Sequence, residues 1–136
     1  MGKINWIRVF LCGLVTGVVW TLLSIPLLYF FGEEFLQAVQ PGTQSGGVRI
    51  FLFVSNLATG IWGIWLYAML RPHIGPGPKT AVLAGIGWWV IVTLQSAKWV
   101  ALGFVPVKAA LGLLLPTLPA IIAATLVGAW LYKDRN

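Results

Sequence analysis

The chain contains few ionisable side chains. Of its 136 residues, 9% are charged, and these include only three acidic residues, alongside one histidine and one cysteine. A soluble globular domain carries roughly a quarter charged residues, so this chain cannot cover a water-facing surface in the usual way. Its mean hydropathy of +0.90 instead indicates a protein surrounded by lipid.

These shortages exclude several kinds of chemistry. Cys12 is alone, so the chain can form neither an internal disulfide nor a Cys-x-x-Cys redox pair. His73 is also alone and lies outside the apolar stretches, where it cannot serve as a haem or chlorophyll ligand within a helix. Glu33, Glu34 and Asp134 lie outside those stretches too, so no buried carboxylate is available for hydrolysis or proton coupling. We therefore predict no catalytic residue and no metal site, and we expect a protein that is not an enzyme; the sequence names no cofactor.

Long apolar stretches make up most of the chain. They cover residues 4–31, 50–70, 80–102 and 105–132. A helix needs about 20 residues to cross the hydrocarbon core of a bilayer, so each stretch is long enough to span it. The predicted fold is an all-α, integral membrane four-helix bundle, with up-down-up-down topology, forming a single transmembrane domain over residues 1–136.

Basic residues predict the orientation. Six of the nine cluster at the amino end, the hairpin 71–79 and the carboxyl end: Lys3, Arg8, Arg71, Lys79, Lys133 and Arg135. Because cytoplasmic segments are enriched in lysine and arginine, we predict that both termini and this hairpin are cytoplasmic. The net charge of +6 is then explained by orientation and anionic lipid, and predicts no nucleic acid partner.

The second and fourth stretches end in nearly the same sequence, which indicates an internal repeat. Residues 63–67 read GIWLY and residues 128–132 read GAWLY, while LCGL at 11–14 weakly matches LAGI at 83–86. Two tandem helical hairpins, related by an axis along the membrane normal, would produce this pattern. The alternative is that Trp-Leu-Tyr is ordinary interface composition that occurs twice.

Small residues predict where helices pack. Gly13 and Gly17 share one helix face, as do Ala81 and Gly85; Ala120, Ala124 and Gly128 form a third stripe. Such stripes allow close helix approach in lipid, either within one bundle or between copies.

Eight tryptophans fall into two groups by depth. Trp6, Trp65 and Trp130, with Tyr132, are expected at the cytoplasmic boundary and Trp99 at the other one. Trp20, Trp62, Trp88 and Trp89 lie deeper, where we expect them to face lipid; contact with a pigment or another ligand is the alternative.

Polar residues within the apolar stretches form the candidate site. Ser55 and Asn56 on the second stretch lie at a depth similar to that of Gln95 and Ser96 on the third, with Lys98 above them. Polar groups in lipid usually face the bundle interior, so we predict a cluster of Ser55, Asn56, Gln95, Ser96 and Lys98. Hydrogen bonding between helices is the structural alternative to ligand binding.

The hairpin RPHIGPGPKT carries the most specific pattern. Pro76 and Pro78 lack the N–H groups that a phosphate-binding loop requires, so we expect only a turn, with Pro72 ending one helix and Pro78 beginning the next. The pattern WLYA-x-x-RP-x-x-GPGPKTA, over residues 65–81, resembles that of small bacterial four-transmembrane-helix proteins with no assigned activity. Residues 5–9 and 128–133 share in the resemblance, which implies a protein of the bacterial inner (plasma) membrane.

Two functions remain open at this point. The first is a non-enzymatic membrane protein that acts as an accessory or scaffolding subunit of a larger membrane complex. The second is a small-molecule or lipid transporter that acts as a homo-oligomer around the polar cluster. Expected partners are therefore the lipid bilayer and either other membrane subunits or further copies of the chain.

Overall fold

Four long helices account for most of the residues that the structure describes. The structure is a computed structural model, and it describes residues 4–37 and 45–132. The helices are α1 (Trp6–Phe31), α2 (Gly46–Ile74), α3 (Pro78–Ala101) and α4 (Val107–Leu131). All four are long and apolar enough to cross a membrane, and these two ranges contain no strand. The predicted all-α four-helix bundle is confirmed.

The second helix is longer than predicted at both ends, since it begins at Gly46 and ends at Ile74. Pro72 was expected to end the second helix, but α2 continues through it to Ile74. The missing N–H of a proline costs least near a helix end, and the chain leaves the helix at Gly75, whose N–H donates to the carbonyl of Arg71 at 2.8 Å. Gly75 (φ +100°) and Gly77 (φ +136°) adopt backbone angles that favour glycine. Pro78 lies in the first turn of α3, as predicted.

The helices form a bundle in which neighbours in the chain are also neighbours in space. α1 packs on α2 and α4, α3 packs on α4 and α2, and α2 reaches α4 across the middle. Residues 33–37, between α1 and α2, are also helical. We call the half of the bundle that holds Asn5, the 75–77 turn and Tyr132 the terminal half, and the other the loop half.

The terminal half contains the main core. Its buried residues are Val9, Cys12, Ile64, Tyr67, Ala68, Ala81, Ala84, Ala129 and Tyr132. The alignment of the two sequence halves pairs most of these with one another: Val9 with Ala81, Cys12 with Ala84, Ile64 with Ala129, and Tyr67 with Tyr132. Positions that correspond in sequence are therefore buried together, as expected of two tandem hairpins packed around a shared axis.

Candidate functional site

Two tyrosines and an arginine close the terminal half. The rings of Tyr67 and Tyr132 meet edge to face, with centroids 5.8 Å apart. The guanidinium carbon of Arg71 lies 6.0 Å from the Tyr67 centroid and 5.5 Å from that of Tyr132. Edge-to-face rings and a cation over them attract each other most strongly away from water. Tyr132, predicted to lie in an interface belt, is instead 4% exposed because it belongs to this junction.

The same two tyrosines connect the hairpins through reciprocal hydrogen bonds. The backbone N–H of Asn5, the residue before α1, donates to the hydroxyl of Tyr132 at 3.2 Å. The backbone N–H of Gly77, the residue before α3, donates to the hydroxyl of Tyr67 at 3.4 Å. Each hairpin thus caps the first helix of the other at corresponding positions, using backbone donors that a helix leaves unpaired.

A second pair of corresponding contacts lies deeper. A methyl group on Gly63 of α2 would lie 2.8 Å from Cε3 of Trp88 on α3, and one on Gly128 of α4 would collide with Oγ1 of Thr16 on α1. Gly63 aligns with Gly128 and Thr16 aligns with Trp88. The same close approach is therefore used on both sides of the bundle.

Glycines also fix the crossing of α1 and α2. A side chain on Gly60 would collide with the backbone of Gly17, and one on Gly13 would collide with the backbone of Ile61. On the other hairpin, Gly85 faces the backbone of Ile122. The small-residue stripes predicted from sequence are thus used for packing inside the bundle, and they provide no argument for self-association.

The deep tryptophans are mostly structural. Trp88 is 2% exposed, and its ring lies 5.8 Å from that of Trp20. This contact joins α1 to α3, which lie diagonally across the bundle from each other. The indole N–H of Trp89 donates to the carbonyl of Leu114 at 3.0 Å, next to the segment where Pro116 and Pro119 lack N–H groups. The expectation that these tryptophans face lipid is wrong for Trp88; Trp62, 42% exposed, agrees with it.

The loop half is packed unevenly. No residue of α1 beyond Gly17, of α2 before Gly60 or of α3 beyond Trp88 is buried, whereas α4 has buried residues as far as Ala109. Buried residues of α4 at its loop end pack with Phe35, from the helical segment 33–37. Within the described residues, the loop half therefore contains buried residues of α4 but none of α1, α2 or α3.

Corresponding positions of α2 and α4 show this difference directly. Leu52 on α2 is 46% exposed, and its counterpart Thr117 on α4 is 5% exposed. Thr59 is exposed, and its counterpart Ala124 is fully buried. In the loop half, α4 is therefore buried at positions where α2 is exposed. The seam between α2 and α3 is closed by Gly63 and Trp88 in the terminal half and is open beyond them on the α2 side.

One residue of the predicted polar cluster, Asn56, contacts a neighbouring helix. Nδ2 of Asn56 donates to Oγ1 of Thr21 on α1 at 3.3 Å, and the Thr21 hydroxyl donates to the Gly17 carbonyl at 2.8 Å. Gln95 lies two turns beyond Trp88, so it continues the buried face of α3, yet it is exposed.

The other three predicted residues are half-buried or exposed. Ser55 and Ser96 are half-buried and Lys98 is exposed. Within the described residues, the side chains of Ser55, Gln95, Ser96 and Lys98 form no hydrogen bond or ion pair with another residue. At the start of α4, Lys108 lies 3.9 Å from Glu34 of the helical segment 33–37.

Sequence reasoning missed two parts of this arrangement. Thr21, the partner of Asn56, carries a polar group at the same depth, which could have been matched by counting residues from the helix ends. The junction of Tyr67, Tyr132 and Arg71 was present in the repeat itself, since corresponding residues near a symmetry axis meet each other.

The fold and the site together define a class: a multi-pass membrane protein built as a bundle of two quasi-equivalent helical hairpins. Neither a scan against protein-family models nor searches of curated proteins and of solved structures find a match for this chain. Within the described ranges, no three His, Cys, Asp or Glu side chains lie close enough together to hold a metal ion.

Proposed function

We propose that this protein is a non-enzymatic assembly subunit of the membrane, an accessory or scaffolding protein that acts by binding other transmembrane helices. The observation that carries the proposal is the open seam between α2 and α3. At the positions that correspond to its α2 side, α4 is buried: Thr117 is 5% exposed, whereas Leu52 is 46% exposed. A face that is buried on α4 and left exposed on α2 by the described residues is a ready surface for a helix from another protein.

The polarity of the open seam supports the same proposal. Asn56 lies about 15 Å from the beginning of α2, a depth at which lipid offers no hydrogen-bond partner. Its Nδ2 has one partner, Thr21, and its Oδ1 has none within the described residues. Hydrogen bonds between transmembrane helices contribute about 0.6–2 kcal/mol each, so a partner helix with a polar side chain would gain by binding there.

The orientation is part of the proposal. We place the protein in the bacterial inner membrane with both termini and the 71–79 hairpin in the cytoplasm. Arg8 and Lys79, both exposed, lie at that end of the bundle. A reporter that is active only in the cytoplasm should be active when fused to the carboxyl end and inactive when inserted between residues 102 and 106.

Extraction under mild conditions tests the function. The protein should leave the membrane with one or more fixed membrane partners, either other proteins or further copies, and these should remain bound through purification. A single, partner-free chain recovered in gentle detergent and in lipid particles alike would contradict an assembly role.

A small-molecule or lipid transporter that acts as a homo-oligomer is the second candidate, favoured by the hydrogen-bonded pair Asn56–Thr21 and by the exposed amide of Gln95 on α3. It predicts that Gln95→Leu or Lys98→Ala abolishes a transport or resistance phenotype while the protein stays folded. Wild-type behaviour of both variants would rule out that site.

A further inference from the structure

We propose that the partner of the open seam is a second copy of this chain, bound through the loop half of α2. This inference rests on the proposed function and names the partner and the surface. The surface, which we call the α2 face, consists of Ser45, Arg49, Leu52, Asn56 and Thr59.

The spacing of the α2 face is that of a helix-pairing seam. Its residues follow one another at alternating intervals of four and three, the pattern that keeps one stripe against a partner helix in left-handed packing. The same stripe continues at Gly63, where it is closed by Trp88 of the same chain. The α2 face is therefore the uncovered extension of an interface that already exists within the bundle.

The residues of this stripe become exposed beyond Gly63, the position that Trp88 covers. Gly63 is buried, while Thr59, Leu52, Arg49 and Ser45 are exposed and Asn56 is half-buried. The corresponding residues of α4 are buried: Leu114, Thr117, Ile121 and Ala124. Because these four α4 positions are buried inside a bundle of helices, a helix is the kind of element that we expect to fit the α2 face.

Asn56 is the reason to expect an identical helix. Its side chain has two N–H donors and one carbonyl acceptor, and the contact with Thr21 uses one donor. The remaining N–H and Oδ1 are complementary to the same two groups on Asn56 of a second copy. A two-fold axis along the membrane normal brings two α2 helices together in parallel, and the two amides can then exchange two hydrogen bonds.

The charge on this surface fits the arrangement. Arg49 lies within the first turn of α2, at the loop end, close to the headgroup region. No acidic or basic residue lies between Arg49 and Arg71, so the membrane-embedded part of the pair contains no like charges.

Site-directed cross-linking in native membranes tests the surface. The single cysteine is first replaced by Cys12→Ala, the residue found at the corresponding position of the second hairpin, Ala84. In this background, Leu52→Cys and Thr59→Cys should each give a disulfide-linked dimer on mild oxidation. Phe51→Cys, 69% exposed on an adjacent face, and Thr117→Cys, the buried counterpart of Leu52, should give little or none.

The outcomes separate this inference from the proposed function. Equal cross-linking at Phe51→Cys would indicate random collision and overturn the two-copy interface. Cross-linking of Leu52→Cys to a different protein, or a stable complex of other proteins with no cross-linked dimer, would also overturn it while the assembly role stands. A chain that is monomeric in the membrane would contradict both.

A pair of substitutions separates the interface from folding. Asn56→Leu removes the amide and with it the contact to Thr21, whereas Thr21→Val removes that contact and leaves the amide in place. Dimer yield at Leu52→Cys should fall at least several-fold in Asn56→Leu and stay near the parental level in Thr21→Val. Equal loss in both would show that the intramolecular bond matters and that Asn56 does not hold two copies together.

Discussion

Tyr67 and Tyr132, corresponding residues of the two hairpins, pack against each other with ring planes 85° apart and centroids separated by 5.8 Å. Each hydroxyl accepts a hydrogen bond from the backbone at the start of the other hairpin. The two hairpins are therefore joined at the terminal half by the same contact made twice, and the molecule opens toward the loop half, away from this junction.

Removing either hydroxyl should weaken the bundle to a similar extent. Tyr132→Phe leaves the N–H of Asn5 without its acceptor, and Tyr67→Phe does the same to Gly77. Each should cost about 0.5–1.5 kcal/mol of unfolding free energy, the net value of an ordinary intramolecular hydrogen bond, because Asn5 and Gly77 are half-buried and water can partly replace the lost acceptor. Thermal unfolding in detergent measures both, with Tyr29→Phe, 77% exposed on α1, as the control. A stable Tyr132→Phe variant would show that the reciprocal capping is unimportant.

Glycine substitutions should differ sharply by position. Gly60→Ala places a methyl group into the backbone of Gly17, so it should separate α1 from α2 and destabilise by about 1–3 kcal/mol or more. Gly87→Ala meets only the Cδ1 atom of Leu66, at 3.8 Å, and should be neutral or stabilising by about 0.5–1 kcal/mol, since alanine favours helix. Unfolding titrations of the two variants check the order. Similar stability of both would contradict the tight α1–α2 crossing.

Cys12 should be inert in the folded protein. It is 6% exposed and lies in the core of the terminal half, where its counterpart is Ala84. A maleimide reagent should label it only after denaturation, as followed by mass. The unfolding free energy of Cys12→Ala should lie within about 1 kcal/mol of the wild-type value, because alanine already occupies the corresponding position of the other hairpin. Rapid labelling of native protein, or a lipid attached to Cys12, would contradict its buried position.

Trp89 should contribute through its indole N–H. Trp89→Phe keeps an aromatic ring but removes the donor to the Leu114 carbonyl, which should cost about 1 kcal/mol. Trp130→Phe is the matched control, since Trp130 is 82% exposed. The melting temperatures of the two variants are compared in the same detergent. An equal decrease in both would show that the indole N–H of Trp89 does not stabilise the fold.

Most of the fold could be predicted from sequence because lipid imposes strong constraints on it. A span must be long, apolar and helical, so composition and length alone indicated the four helices found at Trp6–Phe31, Gly46–Ile74, Pro78–Ala101 and Val107–Leu131. The boundary at Pro72 was wrong because a single missing hydrogen bond near a helix end is a small local cost, whereas the turn is set by Gly75 and Gly77.

Less of the candidate site could be predicted. Depth along a helix is readable from residue counts, which brought Asn56 and Gln95 to the same level. Which residues of α2 and α3 contact a neighbour depends on how these helices pack in the loop half. In the first hairpin the segment 33–37 between the helices packs on the loop end of α4, whereas the short connection between α3 and α4 has no such segment to cover α2. That asymmetry between similar hairpins is not encoded in any single motif.

If the open α2–α3 seam is an assembly surface held through Asn56, wild type and Thr21→Val should each be recovered as a species heavier than one chain, and Asn56→Leu as a single chain. Native mass spectrometry of the three proteins, each extracted directly into lipid particles, measures these masses. A single chain in all three samples, or an unchanged complex in Asn56→Leu, would show that the seam is not such a surface.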